Sequence, residues 1–176
     1  MIIVDKNNSG ETKSDQNDKP SKIHSEQVKL RQCNNPEIIE AKIAISELIP
    51  KLSHAIQQHG PDYEQLVHIY DQMAQLYYKI YDFHNSIEFT KHAMRIQQSK
   101  MGFHHESIIP MLARQGRASL HLYRYTDAKI YYEEEYEVRQ KHNQQPQEFV
   151  KSKLNISEAL TNLGRFDEAI VSTKYV

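Results

Sequence analysis

Histidine and glutamate clusters are the residues of this chain whose types and spacing could do metal or acid–base chemistry. His104, His105 and Glu106 stand side by side, and residues 133–135 are all glutamate, with Glu137 close behind. Adjacent side chains on a loop do not converge easily on one ion, and no second pair follows at ligand spacing. A catalytic pair of carboxylates needs two different environments in a cleft, whereas a glutamate run on a helix is typical of a solvated face.

Sequence motifs that mark enzymes are missing as well. The chain has no Gly-rich phosphate loop, no nucleophile elbow and no HExxH pair. We therefore expect a protein that is not an enzyme, with no cofactor and no metal ion.

The chain has eleven tyrosines, which could suggest stacking on nucleic-acid bases. The charge balance speaks against this, because Lys and Arg total 22 against 23 Asp and Glu, for a net charge of −1. No overall positive field attracts phosphates, so we expect no nucleic-acid partner. At helical spacing, five of these tyrosines are expected in the core and along groove walls: Tyr77, Tyr78, Tyr131, Tyr132 and Tyr136.

The cysteine count and the hydropathy pattern point to a cytoplasmic protein. A single cysteine, Cys33, cannot form an internal disulfide, so nothing requires an oxidising compartment. The apolar residues 1–4 are followed at once by Asp5 and Lys6. This is too short for a signal peptide or a membrane span, so we expect no membrane partner.

Four sets of residues recur with spacings of 42 and 41. They are aromatic residues at expected helix corners, small residues three positions later, helix stops, and small residues fourteen positions after each stop. In that order the sets are Phe83, Tyr125 and Phe166; Ser86, Ala128 and Ala169; Gly60, Gly102 and Asn143; and Ala74, Gly116 and Ser157. A shared period of this size is typical of stacked helix hairpins.

Composition and helix signals divide the chain into a leader and a helical domain. Residues 1–33 are too polar to offset their ordering entropy, so we expect a disordered leader. The domain spans 34–176, with a leading helix at about 36–59, where Pro50 predicts a kink or a short break. Repeats follow at about 61–101, 107–142 and 146–176, the last truncated. Their expected helices span about 62–81, 83–100, 107–122, 126–142, 146–163 and 167–176, and Asn143 is expected in a left-handed cap position.

Small and aromatic residues have distinct packing roles in this scheme. The small residues let paired helices approach closely, whereas the corner aromatics are expected to bury a large area. On that basis, replacing Tyr125 with alanine is expected to cost about 3–5 kcal/mol.

On these residues the chain resembles the tetratricopeptide repeat (TPR) family, in the long-spaced variety of kinesin light chains. The resemblance covers about residues 60–176, and the linker at 101–113 is similar to that family's inter-repeat linker, with Gly102 and His105 in place. It implies an all-α, right-handed superhelical α-solenoid of antiparallel helix hairpins. The residues that match are Ala74, Tyr77, Phe83, Ser86 and Ala93; Gly116, Tyr125, Ala128 and Tyr132; and Ser157, Gly164, Phe166 and Ala169.

The sequence departs from the TPR pattern in three ways. Tyrosine stands at two corners where the family usually has glycine, polar residues weaken the core of the second repeat's first helix, and charged residues take positions that are usually apolar or small. These residues are, respectively, Tyr81 and Tyr123; Gln115 and Ser119; and Glu135 and Lys153.

The resemblance implies that the first helix of each repeat lines a concave groove. Four of the groove positions make a mildly basic strip, and Asn155 resembles the asparagine with which the family holds a ligand backbone. We therefore expect an extended peptide with acidic or C-terminal carboxylate groups; the alternative is that these residues are merely solvated surface. The groove-facing positions are His68, Asp71, Gln75, Tyr78 and Lys79; Arg114, Arg117 and His121; and Lys151, Asn155, Glu158 and Asn162, with Arg114, Arg117, His121 and Lys151 forming the strip.

Three functions are compatible with this pattern. The first is a scaffold or adaptor that binds a partner's extended segment in the groove. The second is the regulatory arm of a larger signalling enzyme or ATPase, of which this chain is a fragment. The third is self-association through the last repeat, where Ala169, Ile170 and Val171 lie on a face that a following repeat would cover.

Overall fold

The computed structural model describes residues 35–142 and 145–174. Within these ranges it contains seven α-helices and one short 3₁₀-helix at Glu106–Ile108, and no strand. The predictions for the leader, for Asn143 and for the last two residues lie outside the described part of the chain. The α-helices are α1 (Pro36–His59), α2 (Leu66–Lys79), α3 (Phe83–Met101), α4 (Ile109–His121), α5 (Tyr125–Lys141), α6 (Pro146–Asn162) and α7 (Phe166–Thr173).

The helices from α2 onward form three antiparallel hairpins that stack in chain order. Within the hairpins, α2 packs on α3, α4 on α5, and α6 on α7. Between hairpins, α3 packs on α4 and α5 packs on α6, so each return helix covers the first helix of the next hairpin. This arrangement is the all-α superhelical solenoid expected from the repeat.

The three hairpin corners share one backbone geometry. Tyr81, Tyr123 and Gly164 have φ angles of 63°, 59° and 74°, in the left-handed region. The amide one residue further on donates a hydrogen bond of 2.9 Å to the carbonyl five residues earlier, as Asp82 does to Tyr77. This is the Schellman pattern that ends many helices, and glycine fits its left-handed position best. The two tyrosines therefore occupy glycine positions, as the repeat pattern indicates.

Small residues bring the helices of each hairpin together. In the first hairpin, the hydroxyl of Ser86 is fully buried and donates a hydrogen bond to the carbonyl of Ala74 at 2.8 Å. In the third, the roles are exchanged, because Ser157 on the first helix donates to the carbonyl of Ala169 at 3.2 Å. In the second, Gly116 leaves room for the buried ring of Tyr132.

Two apolar clusters fill the interior. The first joins the end of α1 to the first two hairpins and includes Leu52, Leu66, Ile96 and Leu112. The second joins the second hairpin to the third, and fully buried Tyr132 is its largest member. An added Cβ on Gly116 would lie 2.4 Å from the Tyr132 ring, so glycine is required for this close packing.

The largest difference between the expected and observed helix boundaries is at the start of α2. Helix α2 begins at Leu66, four residues later than predicted, because residues 61–65 form turns rather than a first helical turn. There the ring of Tyr63 stacks on His59 at 4.4 Å, and the Leu66 amide donates to the Tyr63 carbonyl at 3.0 Å. Helix α1 continues through Pro50 without the break that the sequence allowed. Helix α7 starts at Phe166, one residue early.

The corner aromatics are less buried than expected. Phe83 and Tyr125 are only half-buried, and Phe166 is 61% exposed. Phe83 is covered by His121 of the next hairpin, whose ring stacks on it at 4.4 Å, whereas no described hairpin follows Phe166. Because a half-buried ring loses less apolar contact than a fully buried one, we expect Tyr125→Ala to cost less than the value inferred from the sequence.

No helix in residues 35–142 and 145–174 combines the length and apolarity that crossing a membrane requires.

Candidate binding groove

The first helices α2, α4 and α6 present the predicted groove residues at helical spacing. On α4, Arg117 and His121 are separated by four residues, and on α6 the same separation holds for Glu158 and Asn162. Residues three or four apart share one face of a helix, so each pair projects from a single stripe. Because the hairpins stack in register, the stripes of α4 and α6 are neighbours.

Two side-chain hydrogen bonds within α2 engage three of its predicted groove residues. The His68 ring lies within hydrogen-bonding distance of Gln72 at 3.0 Å, and Gln75 donates to the Asp71 carboxylate at 2.8 Å. Lys79 is exposed in the last turn of the helix. These side chains make the outer part of the predicted surface in the first hairpin.

Arg114 is not a free cation of the basic strip. Its side chain is buried, with a residue exposure of 7%, and forms an ion pair with Asp71 of the preceding hairpin. Its Nε also donates to the hydroxyl of Thr90 at 3.3 Å. The guanidinium thereby ties α4 to α2 and α3, and a pair so enclosed fixes how two hairpins sit rather than offering charge to a ligand.

An aromatic trio closes the junction between the first and second hairpins. Phe83 and His121 stack face to face, with ring centroids 4.4 Å apart and planes 7° from parallel. The Tyr78 ring meets Phe83 edge-on at 5.3 Å and His121 at 6.0 Å. Such offset and edge-on contacts add to the burial of apolar area, so this part of the groove wall is already filled.

A pocket of about 380 Å³ opens between the second and third hairpins. It combines four predicted groove residues with three that the sequence did not single out for the site. The former are Arg117, His121, Glu158 and Asn162, and the latter are Leu120, Tyr123 and Tyr125. The left-handed corner at Tyr123 could have signalled its role, because that geometry turns the ring outward and leaves it 79% exposed.

The pocket carries uncommitted charge of both signs. Within the described ranges, neither Arg117 nor Glu158 forms an ion pair, although both lie close enough to act on the buried Tyr132 phenol. Burial raises the pKa of Tyr132 well above its ordinary value, while the positive charge of Arg117 lowers it and Glu158 raises it. Arg117 is exposed, so its guanidinium is available to an anionic group entering the pocket.

The two remaining groove residues lie further back along α6. Lys151 is exposed and Asn155 is half-buried, and neither lines the pocket. The structure therefore brings four of the twelve predicted residues into one pocket and pairs Asp71 with Arg114. No cluster of three or more His, Cys, Asp or Glu side chains that could hold a metal occurs in the described part of the chain.

The architecture of these hairpins is that of a TPR-like α-solenoid, and solved structures of this class match it. The crystal structure of BtubC (BKLC) from P. vanneervenii superposes with a TM-score of 0.69 at 13% sequence identity. The alignment covers 77% of this chain and 55% of BtubC, so the chain spans about half the length of that protein.

The second comparison is with a putative kinesin light chain of Podosopora anserina that has nearly identical TPR-like repeats. Its crystal structure gives a TM-score of 0.67 at 16% identity and covers 90% of this chain and 74% of that one. A single-residue variant of the same protein gives the same TM-score and identity. At these identities the likeness establishes the fold. No protein-family model and no curated protein matches the sequence.

Proposed function

We propose that this protein is a cytoplasmic scaffold or adaptor that binds an extended segment of another protein in the groove formed by its first helices. The observation that supports this most directly is the pocket between the second and third hairpins, which combines the exposed cation Arg117 with aromatic walls and the amide of Asn162. Stacked helix hairpins provide extended concave surfaces suited to such segments.

The preferred ligand is a peptide with an acidic side chain or a C-terminal carboxylate. Arg117 would form a charge-assisted hydrogen-bonded pair with that carboxylate, which is stronger than a neutral contact. Asn155 and Asn162 would hold the ligand's backbone through their amides, and Tyr123 and Tyr125 would cover its apolar parts. Arg114, although predicted in the same strip, would keep the two hairpins in register for this contact.

Reversal of one charge tests the proposal. The Arg117→Glu variant and the wild type would be used to capture partners from a cell lysate, followed by mass spectrometry. We expect Arg117→Glu to lose the partners held through carboxylates, while its helical content, measured by circular dichroism, stays unchanged. Lys42→Glu on α1 is the matched control, because it reverses an exposed cation outside the groove. Identical partners for Arg117→Glu and wild type would refute groove binding.

A second candidate function, self-association, is supported by the outer face of α7. Phe166, Ile170 and Val171 are each more than 60% exposed, which is unusual for three large apolar side chains on one short helix. Sedimentation velocity tests this candidate, and a clean monomer at micromolar concentration would count against it. Because the groove variants leave α7 intact, the two candidates are distinguishable.

A further inference from the structure

A second groove lies between α5 and α7, on helices that carry none of the twelve predicted groove positions. It consists of two adjoining pockets of about 370 Å³ and about 580 Å³, which share Glu133, Ile156, Val171 and Ser172. Buried Ile156 and Leu160 of α6 make an apolar floor. We call it the α5–α7 groove.

The repeat itself explains why this groove is open. The residue 41 positions before Ser172 is Tyr131, which is half-buried and packs against the apolar cluster of the first two hairpins. Burial there raises the pKa of the Tyr131 phenol. At the next junction the equivalent position carries only the small hydroxymethyl group of Ser172, so the space that a tyrosine side chain fills in one junction is empty in the other.

The charge at the rim also changes between the two junctions. Lys91, which pairs with Glu88 at 2.8 Å beside Tyr131, is replaced 42 residues later by Glu133. Around the α5–α7 groove there are four carboxylates and two lysines. They are Glu133, Glu137, Asp167 and Glu168, and Lys129 and Lys153.

Existing contacts leave part of this negative charge unbalanced. Lys129 pairs with Glu133 at 2.7 Å, and Glu168 pairs with Arg165, which lies outside the groove. Lys153 lies 5.9 Å over the Tyr136 ring rather than at a carboxylate. Within residues 35–142 and 145–174, Glu137 and Asp167 have no ion pair. In the described residues the rim therefore has two carboxylates without an ion pair beside an apolar floor, an arrangement complementary to an incoming cation.

We infer that the α5–α7 groove binds a basic segment of a partner protein through its lysine or arginine side chains. Both side chains have a long aliphatic stem that packs on apolar surface while the charged head stays near water, which matches the floor and the rim. In the groove the stem lies on Ile156 and Val171, and the head reaches Glu137 or Asp167. The lining residues of α5 extend from Lys129 to Gln140, about 16 Å at 1.5 Å per residue, long enough for a segment of about five extended residues.

This surface is separate from the proposed peptide groove and selects the opposite charge. One face attracts carboxylates through Arg117, and the other attracts cations through the α5–α7 rim. The protein would thereby hold an acidic segment and a basic segment at the same time. The inference does not depend on the first groove, since it rests on different residues.

The experiment uses the full chain and a defined probe. The probe is an acetylated, amidated hexapeptide of sequence Arg-Leu-Lys-Arg-Leu-Lys, with Glu-Leu-Glu-Glu-Leu-Glu as the acidic counterpart. Both are titrated into ¹⁵N-labelled protein while the backbone amides of Glu133, Val171 and Ser172 are followed by NMR. We expect the basic peptide to shift these amides in a salt-sensitive manner and the acidic peptide to leave them unchanged.

Two variants identify the groove as the site. Glu137→Gln combined with Asp167→Asn removes the two carboxylates that receive the cationic head and is expected to weaken binding of the basic peptide at least fivefold. Ser172→Tyr rebuilds the side chain found at the first junction and is expected to abolish binding while raising the midpoint of thermal unfolding. Glu134→Gln is the matched control, because it removes the same charge from the same helix but lines a different pocket. Its affinity should stay at the wild-type level.

Three results would overturn the inference. The first is a basic peptide that shifts no amide along the groove. The second is that the wild type and both groove variants bind the basic peptide with equal affinity. If Ser172→Tyr does not fold, the comparison of the wild type with the double charge variant decides. The third is self-association of the wild type that Ser172→Tyr abolishes, since the occupant would then be a second copy of this chain. If the basic peptide does not bind the α5–α7 groove but Arg117-dependent capture of partners is observed, this inference is wrong and the proposed function is still supported.

Discussion

At the scale of single residues, Tyr81 and Tyr123 occupy helix corners whose left-handed backbone conformation disfavours every residue with a side chain. An L-residue in the left-handed region costs about 1–2 kcal/mol, because its Cβ approaches the following carbonyl. Both tyrosines recover part of this cost through their rings. Tyr81 meets Phe83 edge-on, and Tyr123 meets Tyr125 in the same way, with centroids 6.2 Å apart in each case.

Substitution at Tyr123 separates the strain from the ring contact. Tyr123→Ala removes the ring and keeps the left-handed Cβ, whereas Tyr123→Gly removes both. We therefore expect the glycine variant to be more stable than the alanine variant by about 1 kcal/mol. Urea denaturation followed by circular dichroism measures the difference, and equal midpoints would show that the corner is not strained.

Gly116 is a residue whose replacement should be costly for a different reason. In Gly116→Ala the new methyl group would lie 2.4 Å from the fully buried Tyr132 ring, so the ring would have to shift. Overpacking of this kind typically costs about 1–3 kcal/mol. Thermal unfolding of the variant and the wild type measures the loss, and a Gly116→Ala protein as stable as the wild type would contradict the packing argument.

The sequence predicted these small and corner positions well, since they depend on contacts that recur with the repeat. It did not predict how far each corner aromatic is buried. The Phe83 ring stacks on His121 of the next hairpin and meets Tyr78 edge-on, whereas Asn162 stands at the position equivalent to His121 and lines an open pocket with Tyr125. Burial at these positions depends on one unrepeated neighbour, and a period in the sequence carries no information about it.

At the scale of elements, a buried ion pair joins α5 to α6 where the TPR pattern usually has a small residue. Glu135 is 1% exposed and accepts two hydrogen bonds from Arg139, at 3.0 and 2.8 Å. Arg139 also reaches Glu148 at the start of α6, at 2.8 Å. A buried charge is tolerable when paired, so the three residues together explain how a glutamate replaces the alanine that stands at Ala93 in the first hairpin.

A double-mutant cycle measures what this pair contributes. Arg139→Met leaves the Glu135 carboxylate buried without its cation and is expected to cost about 3–5 kcal/mol. Adding Glu135→Ala removes the stranded charge and restores the small residue of the first hairpin, so most of that loss should be recovered. Chemical denaturation of the wild type, the two single variants and the double variant gives the coupling energy. A double variant no more stable than Arg139→Met would mean that the loss comes from packing of the arginine stem.

The sequence predicted the ends of helices well where a glycine or another residue in the left-handed conformation follows the helix. It predicted the starts of helices less well. Gly60 and Gly102 both have positive φ angles at predicted stops. Pro61 was expected in the first turn of α2, yet the turn at 61–65 precedes the helix. Proline fits a turn as well as a first helical position, so the residue type alone does not decide between them. In the structure Tyr63 stacks on His59, and the amides of Leu66 and Val67 bond to carbonyls of the turn.

At the scale of the whole molecule, the order of the hairpins follows from the repeat period, whereas the binding surfaces depend on the places where the repeats differ. The solenoid could be predicted because each hairpin must bury its apolar flank on the next. The pocket at Arg117 and the α5–α7 groove could not be predicted from the period, because each lies where one repeat differs from the next. At the pocket, Asn162 stands at the position equivalent to His121. At the groove, Ser172 stands at the position equivalent to Tyr131. Departures from the repeat are thus the informative positions for function.

Stacking in one dimension also predicts how stability is distributed. The second hairpin is covered on both sides by described neighbours, whereas α7 packs mainly on α6 among the described helices and keeps an exposed apolar face. Because each hairpin gains stability mainly from adjacent ones, native-state hydrogen exchange should be slowest for amides of α4 and α5 and fastest for those of α7. Arg114→Met, which breaks the tie to Asp71, should accelerate exchange in α2 and α3 far more than in α6. Uniform protection across all three hairpins would instead indicate a single cooperative unit, in which the junctions are as strong as the hairpins themselves.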